Sequence, residues 1–150
     1  MPFLAIPTSN RAQLLRRCLE SIARATRSGL TDTLRVVVAD GGLSAETVDP
    51  TAAVVAFGRR ELGLTIQHVA SNEKRIMHDR MLMCTRSRCR SSAFAHAING
   101  HMELQSISPG CGSNRNTTLL LSAGQPLFSV DDDATLDFAL LRNGDQEATR

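Results

Sequence analysis

The sequence has no tryptophan and no tyrosine, and phenylalanine provides the only five aromatic side chains among its 150 residues. Surfaces that stack on bases or on sugar rings usually rely on exposed aromatic side chains. The chain therefore has little material for an aromatic binding platform. Its net charge of +2 is also too small to indicate nucleic-acid binding by itself.

Paired cysteine motifs and long hydrophobic runs are absent as well. The four cysteines show no repeated Cys-x-x-Cys spacing, so we expect reduced thiols rather than a zinc site or a disulfide framework. No apolar run approaches the roughly 18 residues of a membrane span. Met1–Ile6 lacks the length and the basic start of a signal peptide. The sequence predicts a cytoplasmic protein with no transmembrane segment.

Hydrophobic periodicity predicts alternating strands and helices in the first half of the chain. A helical pattern begins at Arg11, with Asn10 as its cap, and a second begins at Asp49 and Pro50. Three apolar runs predict buried strands, and Pro7 is expected to end the first: Phe3–Ile6, Leu34–Ala39 and Leu64–Val69. Because Leu34–Ala39 is hydrophobic on both faces, we expect a single α/β domain, residues 1–150, with a mostly parallel sheet.

The second half of the chain is less regular. Residues 71–106 predict one or two helices between Arg75 and Ala97, and His78, His96 and His101 are interpreted as surface or partly buried side chains. Gly110 and Gly112 predict a turn, after which Ser113 or Asn114 caps a short helix at Asn116–Ala123. One further short element is expected at Ala134–Leu141, and residues 142–150 form a polar tail.

Three consecutive aspartates, Asp131, Asp132 and Asp133, follow an apolar run at Leu127–Val130 that predicts a buried strand. Adjacent carboxylates repel one another, and their oxygens suit a hard cation such as Mg²⁺ or Mn²⁺. Open α/β sheets bind ligands at the carboxyl ends of their strands, which is where these aspartates are expected. A solvated acidic turn, or a cap for a following helix, is the alternative interpretation.

Four short motifs occur in one order along the chain: Ile6-Pro7-Thr8-Ser9-Asn10-Arg11, Val38-Ala39-Asp40-Gly41-Gly42, Gly112-Ser113-Asn114-Arg115-Asn116 and Asp131-Asp132-Asp133. In this order they resemble the nucleotide-sugar-binding half of a family-2 glycosyltransferase of the GT-A fold. That family opens with a Pro-Thr-x-Asn-Arg turn and a Leu-Leu-x-x-Cys-Leu helix, which corresponds to Leu14–Ser21. The resemblance covers about Pro2–Leu141, and residues 71–106 are an unmatched, helical insertion.

The resemblance implies a GT-A-like, Rossmann-like three-layer sandwich that binds a nucleoside diphosphate sugar, with UDP-sugars favoured. Pro7, Thr8 and Arg11 are then expected beside the nucleotide, and Asp40 can accept the ring N–H of a uracil-type base. Arg115 is expected near the base or the diphosphate. The aspartates complete this site: Asp131 at the ribose or the metal, and Asp133, with Asp132 as its competitor, at a Mn²⁺ or Mg²⁺ ion that bridges the phosphates.

The sequence departs from the family at several points. Ala39 and Gly42 replace the usual first Asp and the usual Ser or Thr of the second motif. The catalytic base and the acceptor pocket of inverting members lie well downstream of the aspartates, where this chain has only Asp137, Asp145 and Glu147 as carboxylates. The catalytic residue and the acceptor are therefore unassigned. We expect a sheet truncated after the aspartate-tipped strand, so that the isolated chain transfers no sugar. The exposed edge strand predicts a homodimer, and a partner chain is the alternative that would complete the enzyme.

Three other functions compete with sugar transfer. The chain can be a non-catalytic module or fragment that only holds a nucleotide sugar. A dinucleotide-binding Rossmann domain is disfavoured because the Gly110-Cys111-Gly112 sequence has Arg115 where the third glycine of that motif belongs. A sugar nucleotidyltransferase is disfavoured because Pro7-Thr8-Ser9-Asn10 is not a glycine-rich loop with a basic residue.

Overall fold

The computed structural model describes residues 2–27, 34–42, 45–88 and 111–136. Strands and helices alternate along this part of the chain until the last helix. The strands are β1 (Phe3–Thr8), β2 (Arg35–Asp40), β3 (Ile66–Val69) and β4 (Leu127–Ser129). The helices are α1 (Ala12–Ala25), α2 (Ala45–Arg60), α3 (Ser71–Arg88) and α4 (Cys111–Leu121).

The four strands form one parallel sheet in the order β3-β2-β1-β4. The chain builds outward from β1 through β2 to β3 and then returns to place β4 on the other side of β1. In the register, Val38 lies between Ile6 and His68, and Ala5 is opposite Ser129. The prediction of an α/β fold with a parallel sheet is confirmed, and the arrangement is consistent with a Rossmann-like sandwich.

Helices cover both faces of the sheet. Successive side chains of a strand point to opposite faces, and both sets are apolar here, so each face packs against helices. On one face, Leu4, Ile6, Val36 and Val38 pack with residues of α1 and α2, and on the other, Phe3, Val37 and Val69 pack with Leu121 of α4. The core of the first face is the larger one. It includes Leu15, Cys18, Leu19, Ile22, Ala23, Val55, Leu64 and Ile66.

Helix α1 follows the predicted amphipathic pattern. Leu15, Cys18, Leu19 and Ile22 recur at the spacing of one helix face and are all fully buried. Burial of a leucine or isoleucine side chain contributes about 1.5–3 kcal/mol. This face therefore fixes α1, and with it the loop after β1, against the sheet.

Three local predictions about starts and caps are wrong. Asn10 does not cap α1, because its φ of 55° is left-handed and Arg11 occupies the N-cap position without a side-chain cap. Helix α2 begins at Ala45, so Pro50 lies inside it, where its ring nitrogen cannot donate to the carbonyl of residue 46. Ser113 and Asn114 lie within α4, which begins at Cys111.

Two predictions about strands are also corrected. Strand β1 continues through Pro7 to Thr8. The backbone groups of Phe3 and Ala5 form hydrogen bonds on the side of β4. Pro7 faces the same side but lies beyond the last residue that pairs with β4, so its missing N–H leaves no bond unmade. Strand β4 is not buried, since among the described strands it pairs only with β1. Phe128 is consequently 62% exposed.

Several sequence predictions lie outside the described residues. They are the helical expectation beyond Arg88, His96, His101, Gly110, the element expected beyond Leu136, and the downstream carboxylates Asp137, Asp145 and Glu147. The part of the 71–106 segment that the structure describes is the helix Ser71–Arg88, which begins four residues before the predicted helical stretch.

Candidate functional site

The loops after β1 and β4 meet at the point where the strand order reverses. Helix α1, after β1, packs on one face of the sheet, and α4, before β4, packs on the other. The bond from Val130 N to Ala5 O ends the pairing of β4 with β1, and the aspartates follow at once. In doubly wound sheets, the crevice at such a reversal is the usual place for a ligand.

Asp132 holds the two loops together. Its Oδ2 accepts a 2.6 Å hydrogen bond from the Thr8 hydroxyl, and its Oδ1 accepts a 3.4 Å bond from Arg11 Nη1. Asp132 and Thr8 are both buried. Because both of its oxygens are engaged by the protein, Asp132 is a structural link between the β1 and β4 loops, and it orients Thr8 and Arg11.

The neighbouring aspartates point the other way. The side chains of Asp131 and Asp133 are 65% and 58% exposed, and each lies beside one arginine. Arg115 Nη2 is 3.4 Å from Asp131 Oδ1, and Arg11 Nη1 is 4.0 Å from Asp133 Oδ2. Exposed ion pairs of this kind contribute about 0–1 kcal/mol, so a charged ligand can replace them.

The negative charges of Asp132 and Asp133 affect the pKa of a cysteine in the core. Cys18 is a buried free thiol whose Sγ lies 4.0 Å from the Asp131 carbonyl oxygen. Burial raises the pKa of the Cys18 thiol to about 11, and the charges of Asp132 and Asp133 add to that increase. Cys18 is therefore a neutral core residue at ordinary pH.

A buried link joins the ends of β1 and β2 to helices α3 and α4. Lys74 of α3 donates to the Asp40 carbonyl oxygen at 2.5 Å and to Asn114 Oδ1 of α4. The other end of the Asn114 amide donates to the Thr8 carbonyl oxygen at 2.9 Å. Burial lowers the pKa of Lys74 to about 8, although the nearby Asp40 carboxylate acts in the opposite direction.

The Asp40 side chain lies inside the protein rather than on the site surface. It is fully buried, and its Oδ1 accepts a 2.8 Å bond from the Gly42 N–H. Its Oδ2 lies 3.6 Å from His68 Nε2, and neither atom has a hydrogen-bond partner within the described ranges. The predicted contact between Asp40 and a base would need this carboxylate to become exposed.

A cavity of about 240 Å³ opens between the loops after β1 and β4 and the start of α4. We call it the strand-end cavity. It brings together every nucleotide-site or metal-site residue predicted from the sequence except Asp40, and adds Ser9 and Asn114. Its lining is Pro7, Thr8, Ser9, Arg11, Asn114, Arg115, Asp131, Asp132 and Asp133.

Two exposed carboxylates, those of Asp131 and Asp133, line the strand-end cavity. Among the described residues, no group of three or more His, Cys, Asp or Glu side chains is arranged to hold a metal ion. Mg²⁺, however, is commonly bound through one or two carboxylates plus the phosphates of a substrate. Asp131 and Asp133 are therefore the residues of this cavity that would hold such an ion.

Sequence reasoning missed the parts of the site that depend on contacts between distant elements. Asn114 was expected as a helix cap, whereas it bridges Thr8 and Lys74. Lys74 itself was not singled out, although it is the only lysine in the sequence. Being the only lysine does not by itself indicate a role in the site. The indication comes from its burial, because a buried lysine needs specific partners, and burial is not visible in the sequence.

No described helix combines the length and the apolar character needed to cross a membrane. Comparison of the chain with protein-family models, with curated proteins and with solved structures gives no match.

Proposed function

We propose that the chain binds a nucleoside diphosphate sugar in the strand-end cavity, with UDP-sugars favoured, and acts as a metal-dependent glycosyltransferase similar to family 2. One observation carries the proposal. The cavity lies at the reversal of strand order, where doubly wound sheets bind nucleotides, and it presents two arginines together with two exposed carboxylates.

The two arginines supply the charge that a diphosphate needs. Arg11 and Arg115 are more than half exposed, and their contacts to the aspartates are long: 3.4 Å and 4.0 Å from Arg11 to Asp132 and Asp133, and 3.4 Å from Arg115 to Asp131. A guanidinium group can donate two parallel bonds to phosphate oxygens. Arg115 then takes the diphosphate, and Arg11 neutralises the charge beside Asp132 and Asp133.

The exposed carboxylates explain why binding should depend on a cation. Asp131 and Asp133 would repel a diphosphate in the absence of a counter-ion. A Mg²⁺ or Mn²⁺ ion held by them would neutralise the charge that develops on the departing nucleoside diphosphate. Asp132 keeps both side chains in place, because its bonds to Thr8 and Arg11 fix the turn.

Calorimetric titration with UDP tests this proposal. We expect binding in Mn²⁺ and no measurable binding in EDTA, and Asp133→Ala should abolish the metal-dependent binding. Asp49→Ala is the control, because Asp49 is an exposed carboxylate on α2. Equal affinity in Mn²⁺ and in EDTA would contradict the role of the metal. Absence of UDP binding in Mn²⁺ would contradict the proposed function.

Sugar transfer is tested in a separate assay. The purified chain is incubated with Mn²⁺, a panel of UDP-sugars and sugar or lipid acceptors, and both hydrolysis and transfer products are measured. Transfer to any acceptor supports the enzyme, whereas UDP binding without transfer to any of them leaves the chain a nucleotide-sugar-binding module.

A further inference from the structure

A second cavity of about 320 Å³ adjoins the strand-end cavity on the outer side of the Arg115–Asp131 pair. We call it the edge cavity, because it lies between α4 and the edge strand β4. Its lining is Arg115, Thr118, Leu119, Leu127, Ser129 and Asp131. Arg115 and Asp131 belong to both cavities, so a ligand held at this pair can extend to either side.

Neither cavity alone is large for a small-molecule site. Such sites usually enclose about 300–1,000 Å³, and the strand-end cavity falls below that range while the edge cavity lies near its lower limit. A nucleoside diphosphate that carries a sugar therefore needs more room than the strand-end cavity provides. The adjoining space lies directly beyond the arginine that we assign to the diphosphate.

The lining of the edge cavity matches the chemistry of a sugar ring. A hexose presents hydroxyl groups at its rim and apolar C–H groups on its faces. Leu119 and Leu127 offer an apolar wall, while Arg115, Ser129 and Asp131 offer hydrogen-bonding groups. The Thr118 hydroxyl donates to the Arg115 carbonyl oxygen at 2.8 Å and so fixes the turn that carries Arg115.

We propose that the edge cavity binds the sugar of the nucleotide sugar, with Leu119 and Leu127 in the place of an aromatic platform, for which the sequence has little material. This inference rests on the proposed function, because it takes the nucleotide to be in the strand-end cavity. It assigns discrimination between sugars to residues that line the edge cavity and not the strand-end cavity, namely Leu119, Leu127 and Ser129.

Calorimetry with UDP and with UDP-glucose, UDP-galactose and UDP-N-acetylglucosamine, all in Mn²⁺, tests the inference. Ser129→Leu fills the edge cavity from an exposed position, and Leu119→Gln removes half of its apolar wall. Leu120→Gln is the matched control, since Leu120 is the exposed neighbour of Leu119 on α4 and does not line the cavity.

We expect Ser129→Leu to weaken binding of the preferred UDP-sugar at least tenfold, with UDP affinity changed less than twofold. Leu119→Gln should act in the same direction, and Leu120→Gln should leave both affinities unchanged. If both variants bind UDP and UDP-sugars as the wild type does, the sugar does not occupy the edge cavity and the inference fails alone. If the wild type does not bind UDP, the proposed function fails and the inference fails with it.

Discussion

The single lysine of the chain provides a direct test of the buried link. Lys74 is only 3% exposed, and burial lowers its pKa from 10.5 to about 8. The folded protein therefore binds this proton less tightly than the unfolded chain does. Between pH 8 and pH 10.5 the unfolded chain retains the proton while the folded protein has lost it, so the free energy of unfolding should rise with pH.

The size of this effect follows from the two pKa values. The interval from about 8 to 10.5 corresponds to about 3 kcal/mol, at roughly 1.4 kcal/mol for each pH unit. The raised pKa of Cys18 has the opposite consequence, since the stability it contributes is complete below pH 9.0 and is lost as the pH rises through about 11. The clean window is therefore pH 7–9, in which Lys74 should contribute a gain of about 1 kcal/mol.

Two measurements test this reasoning. Because Lys74 is the only lysine, selective ¹³C labelling of lysine gives one side-chain set of NMR signals, whose titration midpoint should lie near pH 8. Urea unfolding at pH 7, 8 and 9 should show the stability gain in the wild type and its absence in Lys74→Met. A midpoint near 10.5, or the same pH dependence in both proteins, would refute the burial of Lys74 as described.

Three further predictions concern the residues around the site and the core. Thr8→Val removes the hydrogen bond to the buried Asp132 carboxylate while keeping the side-chain shape. Urea unfolding should show that the free energy of unfolding falls by about 1.5–3 kcal/mol, with little change for the control Ser9→Ala. A decrease below about 0.5 kcal/mol would contradict the role of Asp132 as a link. Leu19→Ala should cost about 2–5 kcal/mol because Leu19 is fully buried, whereas Leu119→Ala, at an exposed position, should change stability by less than about 0.5 kcal/mol. Asp40→Asn distinguishes two roles of this residue. If Asp40 contacts the base, UDP binding should weaken roughly ten- to a hundredfold. If Asp40 is only a buried structural residue, the melting temperature should change while UDP affinity changes less than about threefold, as calorimetry and thermal unfolding of the same sample would show.

The strands and α1 were predictable because their hydrophobic patterns reflect the packing that stabilises them. Residues at both faces of β2 are apolar since helices cover both faces, and α1 repeats its apolar residues at helical spacing. The position of Thr8 and the aspartates at one edge of the sheet was also predictable, because parallel strands place their carboxyl ends at the same edge.

The local signals that failed were overruled by contacts elsewhere in the chain. Asp49 and Pro50 are a common helix start, yet α2 extends a full turn before them and keeps Thr51 and Val55 buried. The link between Lys74 and Asn114 joins residues 40 positions apart across two helices. No periodicity or spacing in the sequence reports such a contact, because it exists only after the sheet has brought α3 and α4 to the same edge.

The three consecutive aspartates show how backbone direction divides roles among identical side chains. Asp132 and Asp133 are the central residues of a turn closed by a 3.0 Å bond from the Ala134 N–H to the Asp131 carbonyl oxygen. In this turn Asp132 faces inward to Thr8, while the side chains of Asp131 and Asp133 are exposed. The inward carboxylate is bound by the protein, so the proposed function assigns the cation and the phosphate to the outward two. Substituting Asp132 should therefore disturb the fold before it disturbs binding, and substituting Asp133 should do the reverse.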